Sequence, residues 1–211
     1  MELSGATTAN WVAKTANLLV DDYGSPDRVG LLLPLHWQTL CFLVGAAATG
    51  ATVVMAEDGA GLAGCPVAFV VADQAGAALD AGVDDVLAVS GHPLGARSQG
   101  LPAMVLDAAV EVPGHGDHFG GPHPASAHVV VQGRPFHPVS LDLTSSDRLL
   151  TVLPLDTAPG LGVALAALAA GASLVLVTGE ADLPAICAAE RVTATAGVDV
   201  PGLRDLALGD R

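Results

Sequence analysis

Two stretches of this chain follow one plan, and that plan leaves few folds open. Residues 28–55 read RVGLLLPLHWQTLCFLVGAAATGATVVM, and residues 148–177 read RLLTVLPLDTAPGLGVALAALAAGASLVLV. Each gives an apolar run, a proline turn, an apolar segment of helix length, a glycine and a second apolar run. Continuous apolar runs of this length are what strands buried on both faces require. A helix-length segment ending at Gly50 or Gly171 supplies the crossover. Strand, helix, strand with both strands buried implies a right-handed connection and parallel pairing. The expectation is an α/β chain built of layered, mostly parallel sheets flanked by helices.

The rest of the chain fits that frame. Residues 4–23 read as an amphipathic helix that Ser4 or Thr7 can cap, with Trp11, Ala13, Leu18 and Leu19 on its apolar face. Residues 67–72 and 85–90 read as strands, with Asp73 placed to cap a short helix between them. Residues 104–110 fit strand or helix equally. Residues 114–124 form a Gly/Pro/His loop. Residues 129–135 read as a short hairpin, and residues 143–147 as a turn. Residues 183–190 read as a helix, 191–197 as a strand, and 201–208 as a final helix with Pro201 in its first turn. The domain organisation expected is a first α/β subdomain over 1–113, an irregular connection over 114–146 and a second α/β subdomain over 147–211, packed as one globular unit.

Composition narrows the function classes. The 211 residues carry a formal net charge of −14, and 51% are hydrophobic. Nucleic acid and anionic membrane surfaces demand the opposite charge, so neither is an expected partner. Lys14 is the only lysine, which removes phosphate-cradling lysine motifs everywhere else. Cys41, Cys65 and Cys187 make an odd count without a CxxC pair and read as reduced core residues of a cytoplasmic protein. The start, MELSGATTANW, has no basic segment followed by an apolar one, so no signal peptide is expected. Residues 157–178 are uncharged and long enough to span a bilayer. Pro159, Gly160, Gly162 and Gly171 interrupt them, and helix, glycine, strand accounts for them better. The apolar circumference of residues 160–170 demands burial, in the domain or at an interface, so a homodimer or a protein partner is the expectation.

In order, these segments resemble the N-terminal region of the adenylate-forming, AMP-binding superfamily of acyl-CoA synthetases and ligases. Residues 13–54 resemble that family's opening helix, its DRVAILLPN strand and the helix that ends in GAV. Residues 147–177 resemble its D…LPLFH…GL…GA…VLV block, and residues 184–206 its RVT…GVP segment. The resemblance implies the fold of the synthetases' N-terminal subdomains. It also implies a Ser/Thr/Gly-rich phosphate loop ending in Pro-Lys-Gly between the two blocks. Here that interval, PASAHVVVQGRPFHPVSLDLTSS, has neither a Thr-Gly-Thr run nor a lysine. A phosphate nest needs converging backbone N–H groups, which glycines permit. The family's aromatic–His pair falls on Asp156 and Thr157, and an aspartate there repels carboxylate and triphosphate. The sequence stops at Arg211, before the point where the family carries its later adenine- and ribose-binding motifs and its lysine-bearing lid, so the expectation is a truncated, degenerate relative. ATP with Mg²⁺ is therefore disfavoured, and no cofactor is expected.

The remaining chemistry is sparse. His115, Asp117 and His118, with His123, His128 and His137 downstream, have the residue types and spacing to hold Zn²⁺ or a similar ion. His36 lies at the C-terminal end of a strand, where open α/β sheets bind ligands. With Asp156, Thr157 and Gly160, it makes up the candidate ligand cleft. Three readings follow from these residues. The first is a non-catalytic relative of the synthetases acting as a ligand-binding or interaction module. The second is an enzyme of different chemistry using residues 115–137, with or without a metal. The third is half of a split synthetase.

Overall fold

A computed structural model describes residues 1–121, 124 and 127–206 of the chain. It divides the protein into two units, Met1–Phe136 and His137–Arg211.

The first unit is built on a seven-stranded sheet of order β5-β4-β3-β1-β2-β6-β7. Its first six strands, all parallel to their neighbours, are β1 (Arg28–Leu32), β2 (Thr52–Met55), β3 (Val67–Val71), β4 (Asp85–Val89), β5 (Val105–Asp107) and β6 (His128–Val131). β7 (Arg134–Pro135) closes the edge as the antiparallel arm of a hairpin with β6. Helix α1 (Gly5–Asp21) starts at Ser4, whose hydroxyl accepts from the Thr7 amide, and packs on α2 (Trp37–Ala48). Phe42 of α2 stacks on Phe69 of β3 at 4.4 Å between ring centres. The alternate residues of the same strand, Ala68 and Val70, pack instead with Ala75 and Ala78 of α3 (Ala75–Asp80). The period-2 alternation of strand side chains thus places α2 and α3 on opposite faces. Between β1 and β3, two central neighbours, the chain departs towards opposite edges and opposite faces. That is the topological switch point of the sheet.

The second unit has a four-stranded parallel sheet of order β11-β10-β8-β9. Its strands are β8 (Arg148–Thr151), β9 (Ser173–Leu176), β10 (Ala194–Ala196) and β11 (Arg204–Asp205). Leu149, Ala194 and Ala196 pack against Val163 and Ala167 of α5 (Ala158–Ala169). Leu150 and Val192 pack on the other face with Cys187 of α6 (Leu183–Glu190).

Residues 157–178 fold as α5, Gly171 and β9, the helix–glycine–strand reading. Among the described residues, no helix is long and apolar enough to cross a membrane. Four local expectations change. The ambiguous stretch 104–110 is both things in succession, β5 and then the one-turn helix α4 (Ala108–Glu111), which the Asp107 side chain caps. Asp73 caps nothing. It sits inside a 3₁₀ turn (Ala72–Gln74) that begins without a side-chain cap. The expected helix over 201–208 is a turn followed by β11, because Gly202 has φ +86° and the backbone then pairs with β10. Residues 207 and 208 of that expectation lie outside the described residues. Finally, residues 114–136 belong with the first unit, to whose sheet they add β6 and β7.

Candidate functional site

The interval that carries a phosphate loop in the resembled family is a tight hairpin here. Val131 of β6 faces Arg134 of β7, leaving only Gln132 and Gly133 as the turn. Both have positive φ, +49° and +73°, the signature of a type I′ turn. Two residues cannot fold a multi-residue nest around phosphate oxygens. The Thr144–Asp147 turn further along is also committed. Asp147 Oδ2 accepts from the Thr144 amide at 2.8 Å and hydroxyl at 2.9 Å, and Oδ1 accepts from Thr193 and Arg204, each at 2.9 Å. The Thr144 amide bond, the Thr193 and Thr144 hydroxyls and the Arg204 charge hold its carboxyl down at about 2.

The turn between β8 and α5 uses its residues for structure. Thr157 caps α5: its Oγ1 accepts from the Gly160 amide at 3.2 Å and donates to the Pro154 carbonyl at 2.8 Å. Gly160 is obligatory for a steric reason. A Cβ there would fall within 2.8 Å of the Pro154 carbonyl carbon and deep inside the radius of its oxygen. Asp156 is half-buried beside the cap.

His36 occupies a different setting. It caps α2, with Nδ1 accepting from the Gln38 amide at 3.4 Å. That bond leaves the ring proton on Nε2. Nε2 is buried without a hydrogen bond of good geometry. Burial pushes the imidazole below its ordinary value, against a smaller opposing effect of weak hydrogen bonding to the His92 backbone, short of a well-formed bond. The ring lines a narrow crevice, too tight to admit water, at the C-terminal ends of β1, β3 and β4, with Leu33, Pro34, Thr39, Val71 and Val89. Thr39 donates its hydroxyl to the Pro34 carbonyl at 2.8 Å. Gln38 beside it is almost wholly buried, and its Oε1 also lacks a partner. An unpaired buried polar group costs about 1–3 kcal/mol. Two within one helical turn leave polar capacity unspent at the start of α2; elsewhere in the first unit Ser98 Oγ is in the same state. Sequence reasoning singled out His36 but missed Gln38. A polar pair, Gln38-Thr39, in an otherwise apolar helix was the available signal.

The histidine loop is tied to α1 rather than gathered around one point. His115 lies between two carboxylates, with Nδ1 at 3.6 Å from Asp21 and Nε2 at 3.3 Å from Asp22. Asp117 pairs with Lys14 at 2.8 Å, and the same ammonium donates to the carbonyls of Pro113 and His115 at 3.0 and 2.5 Å. His118 is exposed, and its carbonyl accepts from Asn17 at 2.9 Å. His128 begins β6, His137 begins the second unit, and His123 lies outside the described residues. Among the described residues, no group of three or more His, Cys, Asp or Glu side chains is placed to hold a metal ion. The three cysteines are free and buried. Burial raises all three thiols, Cys41 to about 12.

No protein-family model matches the chain. A protein of Mycobacterium tuberculosis (strain ATCC 25618 / H37Rv) called a TIGR03089 family protein is 37% identical over 210 residues, covering 92% of this chain and 84% of that protein. The chain belongs to the TIGR03089 family.

Solved structures extend the comparison to fold. This TIGR03089 protein superposes on the anthranilate CoA ligase AuaEII, in complex with anthranoyl-AMP, with a TM-score of 0.71 at 15% identity, covering 90% of this chain and 44% of that one. An acyl-CoA synthetase of Brucella canis gives a TM-score of 0.71 at 19% identity, covering 93% and 42%. The N-terminal domain of FACL13 from M. tuberculosis gives 0.66 at 18%, covering 100% and 61%. The TIGR03089 chain therefore has the fold of the N-terminal region of adenylate-forming ligases and spans under half the length of the first two.

Proposed function

We propose that this TIGR03089 protein does not form acyl-adenylates and acts as a ligand-binding or protein-interaction module built on the ligase fold. The observation that carries the reading is the β6–β7 hairpin, closed by Gln132 and Gly133 alone. In adenylate formation, catalysis rests on holding and neutralising a triphosphate while a carboxylate attacks it. A two-residue turn with both φ positive offers no nest, the hairpin carries no lysine, and Lys14 is engaged with Asp117 and two loop carbonyls. Thr157 and Gly160 support the same reading, because capping and close packing occupy them fully.

The test is carboxylate-dependent exchange of labelled pyrophosphate into ATP, with Mg²⁺ and a panel of short, long and aromatic acids. The purified protein is expected to give the background rate with every acid. Exchange that depends on one acid and rises with protein concentration would overturn the proposal.

A further inference from the structure

We infer that the open edge of β9 (Ser173–Leu176) is the pairing surface for a second copy of this chain. Two β9 strands run antiparallel about a two-fold axis at Val175 and join the four-stranded sheets of both copies into one continuous sheet. The inference stands apart from the adenylation reading, since nothing in it requires nucleotide chemistry to be present or absent.

Three observations converge. The first is that β9 is a bare edge. A strand at the rim of a sheet presents unpaired N–H and C=O groups, which pair with another chain unless charge, proline or a covering loop prevents it. Among the described residues, the two sheets end in β5, β7, β11 and β9. β7 is Arg134 and Pro135, and a proline has no N–H to offer. β11 is Arg204 and Asp205, both charged and exposed. β5 ends in Asp107, whose carboxylate accepts from the Ser98 amide of the preceding loop at 3.0 Å. β9 is Ser-Leu-Val-Leu, with Ser173 exposed and the three apolar residues half-buried. It has no charge and no proline, and its register with β8 runs without a bulge.

The second is the direction of the backbone groups. The Ser173 and Val177 amides donate to the Asp147 and Thr151 carbonyls at 2.9 and 3.1 Å. Backbone groups alternate along a strand, so Ser173, Val175 and Val177 turn theirs to β8, and Leu174 and Leu176 turn theirs to the open side. A two-fold axis at Val175 sets Leu174 of each copy opposite Leu176 of the other. Each such pair exchanges two N–H···O bonds, and the two Val175 residues meet as the close, non-hydrogen-bonded pair. The edge is complementary to itself, as a two-fold interface must be. The third observation selects a second copy as the occupant. The chain has 22 acidic residues against 8 Lys and Arg, so like charge drives two copies apart wherever charged surfaces meet. Residues 157–179 carry no charge at all, and they make up α5 and β9. α5 packs against β9 and adds half-buried Leu165 and exposed Leu168 to the uncharged surface.

The experiment is sedimentation velocity of the full-length chain from low micromolar to several hundred micromolar, at low and at high salt. A monomer–dimer equilibrium is expected, tighter at high salt, where repulsion between two acidic copies is screened. Leu176→Pro removes one outward N–H from each copy and leaves the bonds to β8 in place, so it should weaken the dimer at least about tenfold. Val175→Cys puts the two thiols on a non-hydrogen-bonded pair with Cα atoms about 4.5 Å apart, within disulfide reach. Mild air oxidation should then yield a covalent dimer on a non-reducing gel. The wild type, whose three cysteines are buried, should yield none. Val175→Cys decides the matter if Leu176→Pro fails to fold. The proposal is overturned if the wild type is monomeric at every concentration or assembles beyond two copies. It is equally overturned if folded Leu176→Pro dimerises as tightly as the wild type, or if Val175→Cys does not cross-link.

Discussion

The β1–α2–β2 and β8–α5–β9 blocks are written in the same local grammar and end in opposite chemical states. Each has a buried strand, a proline turn, a side-chain cap on a twelve-residue helix, and a return strand in parallel register. In the second block the cap is complete. Thr157 donates and accepts at once, and Gly160 lies hard against the Pro154 carbonyl. In the first block His36 caps with one nitrogen and leaves the other buried with only a weak interaction with the His92 backbone. The same helix start can therefore be a purely structural joint or a joint with capacity left over. The difference lies in the cap residue and in which loop closes over it.

Substitutions at the two joints should separate these states. The largest effect is expected for Gly160→Ala, since the added methyl meets backbone rather than a flexible side chain. Overpacking of this kind should cost about 3 kcal/mol in urea unfolding, and a loss under about 0.5 kcal/mol would mean that the 153–154 turn can yield. Thr157→Ala should follow at about 1 kcal/mol, the usual worth of an N-cap. At the other joint, His36→Asn keeps a capping side chain and removes a poorly satisfied donor, so its cost should stay within about 0.5 kcal/mol. A penalty as large as that of Thr157→Ala would erase the contrast drawn between the two blocks.

The pH dependence sharpens the same comparison. Burial holds His36 below its ordinary 6.5 in the folded chain, so the unfolded state binds the proton more readily. The stability this contributes is complete above pH 6.5 and declines as pH falls below it. His36→Asn should flatten that slope. Asp147, lowered from 3.8 to about 2, contributes stability present above pH 3.8 and lost as pH falls towards 2. Asp147→Asn should flatten only this acid limb, the smallest of these effects. Acid unfolding followed by circular dichroism from pH 8 to 2 measures both, and identical curves for the two variants would refute the assignment.

Much of the fold could be read from the chain because apolar run length and glycine position carry it. The runs at 29–33 and 51–55, and the helix at 183–190, match β1, β2 and α6 to within a residue at each end. The final helix at 201–208 could not be read correctly. Pro201 opens a turn as readily as a helix, and pairing with β10 decides the matter through contacts the local sequence does not encode. The site was less legible for a similar reason. His36 could be placed at a strand end, but its isolation depends on the ends of β3 and β4, some 35 to 53 residues away in the chain. Lys14 and Asp117, 103 positions apart, form an ion pair that no spacing rule suggests. That pair, with Asp21 and Asp22 around His115, draws the histidine loop into holding α1.

The most direct test of the central claim is calorimetric titration of the purified protein with ATP and with AMP in the presence of Mg²⁺. A chain whose phosphate interval is a two-residue hairpin should give no binding heat up to millimolar nucleotide. Micromolar binding of either nucleotide would contradict that claim and mean that this fold holds phosphate without the nest.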